Sequence, residues 1–170
     1  MHGSGETYFV VTGGPGSGQS WLIDALQASG YARSYEAGRS IIQDQVAIGG
    51  RALPWVDPAL FAEMMLCWEL CSYQTAQRQT GLVFFDRGVP DLLGYLRLLD
   101  LPIAEHNTES GQHFPLRPTR VHSSTDRMQS SMFQLEPWQE IYRPDRERKQ
   151  GFEEAVTTYE AVLATYTALG

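Results

Sequence analysis

Phe9-Val10-Val11-Thr12-Gly13-Gly14-Pro15-Gly16-Ser17-Gly18-Gln19-Ser20 decides how the rest of the chain is read. An apolar, β-branched run ends in a glycine-rich turn, and the turn opens into Trp21-Leu22-Ile23-Asp24-Ala25-Leu26, whose apolar spacing is helical. The order is strand, loop, helix. The loop reads G-x-x-x-x-G-Q-S, one residue from the phosphate-binding pattern G-x-x-x-x-G-K-[ST]. Glycines lacking a Cβ let several backbone N–H groups converge on phosphate oxygens, and the helix that follows aims its positive N-terminal end at them. Gly13, Gly14, Gly16 and Gly18, with Pro15 and Ser17 between them, meet that requirement.

The departure is at position 19, where Gln stands in place of Lys. That lysine normally reaches the β- and γ-phosphates and offsets charge during transfer, whereas a neutral amide donates hydrogen bonds without charge. Ser20 retains the hydroxyl expected on Mg²⁺. Nucleotide binding should be weakened and phosphoryl transfer hurt more, because interactions that strengthen in the transition state affect rate most.

Working outward, 170 residues suit one domain with a sizeable core. A content of 42% hydrophobic and 19% charged residues is globular, and no apolar run is long enough to span a bilayer. Met1-His2-Gly3-Ser4-Gly5-Glu6 has neither a basic nor an apolar region of the kind a secretory signal needs, so a cytoplasmic protein without a membrane partner is expected. The net charge of −7, with no basic stripe, argues against nucleic acid as a partner. Cys67 and Cys71, four apart on an expected helix, read as small buried hydrophobes on one face.

Tyr31 to Tyr35 is a short second-strand candidate, and a helix should begin near Glu36 and end at Gly49-Gly50. Asp57-Pro58 is an N-cap acceptor followed by proline in the first turn, opening a long helix to about Gln79. Its aromatic and methionine content reads as core. Gly81-Leu82-Val83-Phe84-Phe85-Asp86-Arg87-Gly88 is the second informative stretch. A carboxylate at the C-terminal end of a buried parallel strand stands at the crevice where open α/β sheets bind ligands. There Asp86 could hold Mg²⁺ or accept a proton from an attacking hydroxyl, and Arg87 suits bidentate contact with a phosphate or carboxylate. A further helix runs from about Pro90 to Leu99.

From Glu105 to Ser131 the chain is polar and aperiodic, an irregular loop whose His106, His113 and His122 match no common metal spacing. Ser131 to Leu135 is a candidate fourth strand. Arg143, Arg146, Arg148 and Lys149 then gather positive charge in the stretch 143–150, where a lid closing over ATP would stabilise the transferring phosphoryl group. Phe152, Ala155, Val156, Tyr159, Val162, Leu163 and Tyr166 trace one apolar stripe of a final helix.

These stretches together make the chain resemble the AAA-type ATPase family of small bacterial P-loop proteins grouped with nucleoside and nucleotide kinases, and more distantly ribosylnicotinamide kinase. FVVTGGPGSGQS, EAGRSII, LPWVDP, VFFDRGVPDLLGYLRLL and EPWQEIYRPDRERKQGFEEAVTTYE carry the likeness over most of residues 9 to 160. The resemblance implies a P-loop NTPase three-layer α/β sandwich with a mainly parallel sheet. It implies that Gly13 to Ser20 hold the ATP phosphates, that Glu36 and Arg39 face a small-molecule acceptor, and that Asp86 and Arg87 are the acid and arginine of the strand end. Arg143, Arg146 and Arg148 correspond to the lid. The chain departs from the family at Gln19 and in the stretch 105–131, and because the resemblance implies a fifth strand and a last helix past Gly170, a strand of the sheet is expected to be missing. Together these suggest a degenerate copy, an altered copy or a deliberately inactivated form. A kinase-like phosphotransferase is expected. A non-catalytic nucleotide-binding module and a partner-coupled ATPase stand as alternatives.

Overall fold

The computed structural model describes residues 8–14, 16–99, 132–140 and 151–169. Among these residues four strands form one sheet: β1 (Tyr8–Gly13), β2 (Ala32–Arg33), β3 (Val83–Asp86) and β4 (Met132–Leu135). Their order is β2-β3-β1-β4 and every pair is parallel. Among the described residues five helices connect and cover them: α1 (Gln19–Ala28), α2 (Ala37–Ile48), α3 (Pro58–Ala76), α4 (Val89–Leu98) and α5 (Phe152–Leu169). This is the α/β sandwich expected. With β2 and β3 on one side of β1 and β4 on the other, strand order reverses around β1, and the carboxyl end of that strand becomes the place where open sheets take ligands.

Alternation along the strands decides what each face carries. Val10, Val83 and Phe85 point to one face, where they pack with Tyr73 and Ala76 of α3 and Val162 and Tyr166 of α5. Phe85 is completely buried, which contributes about 1.5–3 kcal/mol. The other face carries Phe9 stacked on Phe84, with α1 lying against β1, β2 and β3. Asp86 pairs in register with Val11. On the first face α4 and α5 approach closely at Gly94, where a Cβ would come within 3.1 Å of the Val162 backbone.

Local signals explain the boundaries. Asp57 caps α3 by accepting the Leu60 N–H at 3.1 Å, and Pro58 occupies its first turn. Gly49 closes α2 in the left-handed region, at φ 66°. The helix expected to run to Gln79 stops at Ala76, and β2 is shorter than the expected 31–35 because only Ala32 and Arg33 find ladder partners on β3. Cys67 and Cys71 are exposed, not buried. Apolar residues surround α3 on all sides, so its sequence did not reveal which face would pack. Leu163, expected in the apolar stripe of α5, is 40% exposed, while Thr165 beside it is fully buried and accepts from Arg97. Among the described residues no helix is long and apolar enough to cross a membrane. The expected loop 105–131 and lid 143–150 lie outside the described residues.

Candidate functional site

The register Val11↔Asp86 puts the end of β3 beside the end of β1, so the carboxylate of Asp86 and the loop after Gly13 stand at one end of the sheet. Gly16 and Gly18 take φ of 78° and 80°, a region that costs residues with a Cβ about 1–2 kcal/mol. Gly18 is the N-cap of α1 and supplies no side-chain cap. The backbone N–H groups of Gly18, Gln19 and Ser20 have no acceptor among the described residues. Donors gathered at a helix N-terminus are what an anion requires.

The loop is held tightly at its entry. A Cβ on Gly13 would sit 2.6 Å from the Leu135 carbonyl oxygen at the end of β4 and 2.6 Å from Ser17 Oγ. One on Gly14 would sit 2.6 Å from the Ala155 carbonyl of α5 and 2.8 Å from Pro137. Glycine is therefore needed at positions 13 and 14 for close approach, and at 16 and 18 for backbone freedom. Pro15 lies outside the described residues.

Gln19, the first residue of α1, is buried at 5% exposure. Its Nε2 donates to the Val11 carbonyl at 2.6 Å and to Asp86 Oδ1 at 2.8 Å. Both amide hydrogens are thus committed to protein acceptors, and Oε1 is buried with no partner. Ser20, one residue on, is exposed.

Asp86 is 2% exposed and has donors around it. Besides Gln19, Arg33 Nη2 lies 3.3 Å from Oδ2, and the Asp86 N–H donates to Ser34 Oγ at 3.0 Å. Arg33 also pairs with Asp24. Neither Arg33 nor Ser34 stood out in the sequence, because the two-residue strand that brings them here leaves almost no periodicity to read.

Arg87 has φ 74°, the one non-glycine residue in the left-handed region among those described. Backbone held there costs about 1–3 kcal/mol and persists only when the surroundings over-determine it. Its N–H donates to the Val11 carbonyl at 3.0 Å, its Nη1 to the Gly13 carbonyl at 2.9 Å, and its guanidinium faces Glu36 at 3.6 Å and Asp91 at 3.5 Å. Burial opposes its charge, but Glu36, Asp91 and Asp86 outweigh burial and push its pKa above the ordinary value. Arg87 consequently fastens the start of the loop to the end of β3. Glu36 joins this cluster as the residue preceding α2, whereas Arg39 is exposed on the first turn.

Three residues that carry no motif complete the arrangement. Asp91 is buried and accepts from Thr12 Oγ1, from Tyr166 OH at 2.8 Å and from the Gly88 N–H at 3.0 Å. Burial first, then the Asp91 charge, drives the Tyr166 phenol well above its ordinary pKa, so it remains a donor. Glu69 is 4% exposed, and burial together with Asp91 and Asp86 raises its pKa well above 4.5. Asp91 had a sequence signal as an acid in the first turn of a proline-started helix, and Tyr166 stood in the apolar stripe of the final helix with nothing to mark its hydroxyl. Arg143, Arg146 and Arg148 lie outside the described residues.

A parallel sheet whose central strand runs through a glycine turn into a helix, with an acid ending the neighbouring strand, defines a P-loop nucleotide-binding domain. The AAA domain family matches residues 8–170, and the chain belongs to that family. No curated protein matches the sequence.

Proposed function

We propose that the chain binds ATP and acts as a kinase-like phosphotransferase on a small-molecule acceptor in the cytoplasm, with activity reduced by Gln19. The observation that supports this reading is the register Val11↔Asp86, which sets the strand-end acid beside the glycine loop at the carboxyl end of β1. The residues present suit a polyphosphate: N–H groups with no acceptor among the described residues lie at the start of α1, and the turns at Gly16 and Gly18 leave no Cβ in the way. They suit a magnesium ion less well. Ser20 offers an exposed hydroxyl, but Asp86 already faces an amide and a guanidinium and would have to release one of them to ligate an ion.

In this reading Gly13 to Ser20 hold the phosphates, and Asp86 orients or deprotonates the acceptor hydroxyl. Arg87 fixes the loop against that acid, Glu36 and Arg39 meet the acceptor, and Arg143, Arg146 and Arg148 close over the nucleotide. The net charge of −7 leaves nucleic acid out of it. A second reading, a non-catalytic nucleotide-binding module, is favoured by one observation: the hydrogens that Gln19 could offer a γ-phosphate are spent on Val11 and Asp86. Transfer from labelled ATP to a panel of nucleosides separates the two. Product that increases with Gln19→Lys and disappears with Asp86→Asn supports the phosphotransferase. ATP bound by both the parent chain and Gln19→Lys with no product from either supports the module.

A further inference from the structure

Away from the loop, a cavity of about 660 Å³ opens between the edge strand β2 and helices α2 and α3. None of Gly13 to Ser20, Glu36 or Arg39 lines it, and it touches the site above only through Arg33 and Ser34. Its volume falls in the range of small-molecule sites. Ala32, Val83 and Ala76 give it an apolar floor, and Ile41, Met64 and Trp68 its walls. The indole is fixed by its Nε1, which donates to the Tyr35 carbonyl at 3.0 Å.

Charge selects the occupant. Asp44 of α2 and Glu63 of α3 both line the cavity, and neither has an ion-pair partner among the described residues. Among the described residues the one cationic side chain in the lining is Arg33, whose guanidinium is divided between Asp24 and Asp86 and lies 4.6 Å over the Tyr35 ring. An anionic ligand would meet two carboxylates with no free cation among the described residues to balance them. A cation would meet those carboxylates together with the aromatic surface of Trp68, which attracts positive charge.

We propose that this cavity is a second ligand site, separate from the phosphate loop, and that it takes a small organic ammonium ion with an apolar or aromatic body. Both cysteines of the chain line it and both are exposed, so thiol reactivity reports on this cavity alone. The test is the rate at which dithiodipyridine, an uncharged thiol reagent, modifies the intact chain at neutral pH in the presence of phenethylamine, phenylethanol or phenylpropionate. The protonated amine should protect saturably. The alcohol should need about three- to tenfold more ligand for the same protection, and the carboxylate should not protect. Asp44→Asn with Glu63→Gln should weaken the amine by about tenfold and leave the alcohol unchanged. Thiols that do not react in the folded chain, no protection by the amine, equal protection by the carboxylate, or an amine affinity unmoved by the double variant would each overturn the proposal.

Discussion

Glu69 shows how far burial and neighbouring charge can shift one side chain. Its carboxyl is desolvated and faces Asp91 and Asp86, so the neutral form is favoured in the folded protein. A folded pKa above the unfolded one makes a contribution to stability that is complete below the unfolded value near 4.5 and is lost as pH rises through the folded value. Glu69→Gln keeps the shape and removes the titration. It should flatten the decline in stability from acid to neutral pH and leave the variant more stable than the parent at neutral pH, measured by urea unfolding at a series of pH values. Parallel curves for the two proteins would contradict this. Gln19 presents the complementary case: its orphaned Oε1 is an unsatisfied buried acceptor, which costs about 1–3 kcal/mol.

Individual elements rest on a few contacts that can be removed one at a time. The Asp57 carboxylate satisfies one otherwise open N–H at the start of α3. Asp57→Ala should lower stability by about 1 kcal/mol in denaturant unfolding, and an unchanged midpoint would mean that the cap contributes nothing. Tyr166 ties α5 to the Asp91 carboxylate at the start of α4. Tyr166→Phe keeps the ring and leaves a buried carboxylate one donor short, so a loss of about 1–3 kcal/mol is expected, visible as a lower thermal midpoint. Elements were legible where sequence carried a local cause. The β-branched run of β1, the glycines that follow it, Asp57-Pro58 and the apolar end of β3 each state their structure within a few residues. What stayed hidden depends on contacts between distant elements. Arg33 reaches Asp86 across 53 positions, and Tyr166 reaches Asp91 across 75, and neither spacing leaves a pattern. The exposure of Cys67 and Cys71 was hidden for another reason, since an all-round apolar helix does not say which side packs.

At the scale of the whole molecule, the parallel sheet is what turns separate motifs into one site. β1 and β3 are far apart in sequence, and only their pairing sets Asp86 beside the glycine loop. The motifs themselves could be read, and the resemblance they carry agrees with the AAA domain family. Their joining through Gln19, Arg33 and Arg87 could not, because it follows from strand order. The same order places Ala155 and Pro137 against Gly14, so α5 and the segment after β4 set the loop's entry.

In the proposed function, the loop amides that have no acceptor among the described residues and the Asp86 carboxylate form a polyphosphate site from which one cation is missing. Ligand that binds only the native state raises stability by mass action. The most direct measurement is the thermal midpoint of the chain with and without ATP and Mg²⁺, made in parallel on the chain as it stands and on Gln19→Lys. A small rise for the parent and a larger one for Gln19→Lys is the predicted result. No rise in either protein would contradict the account.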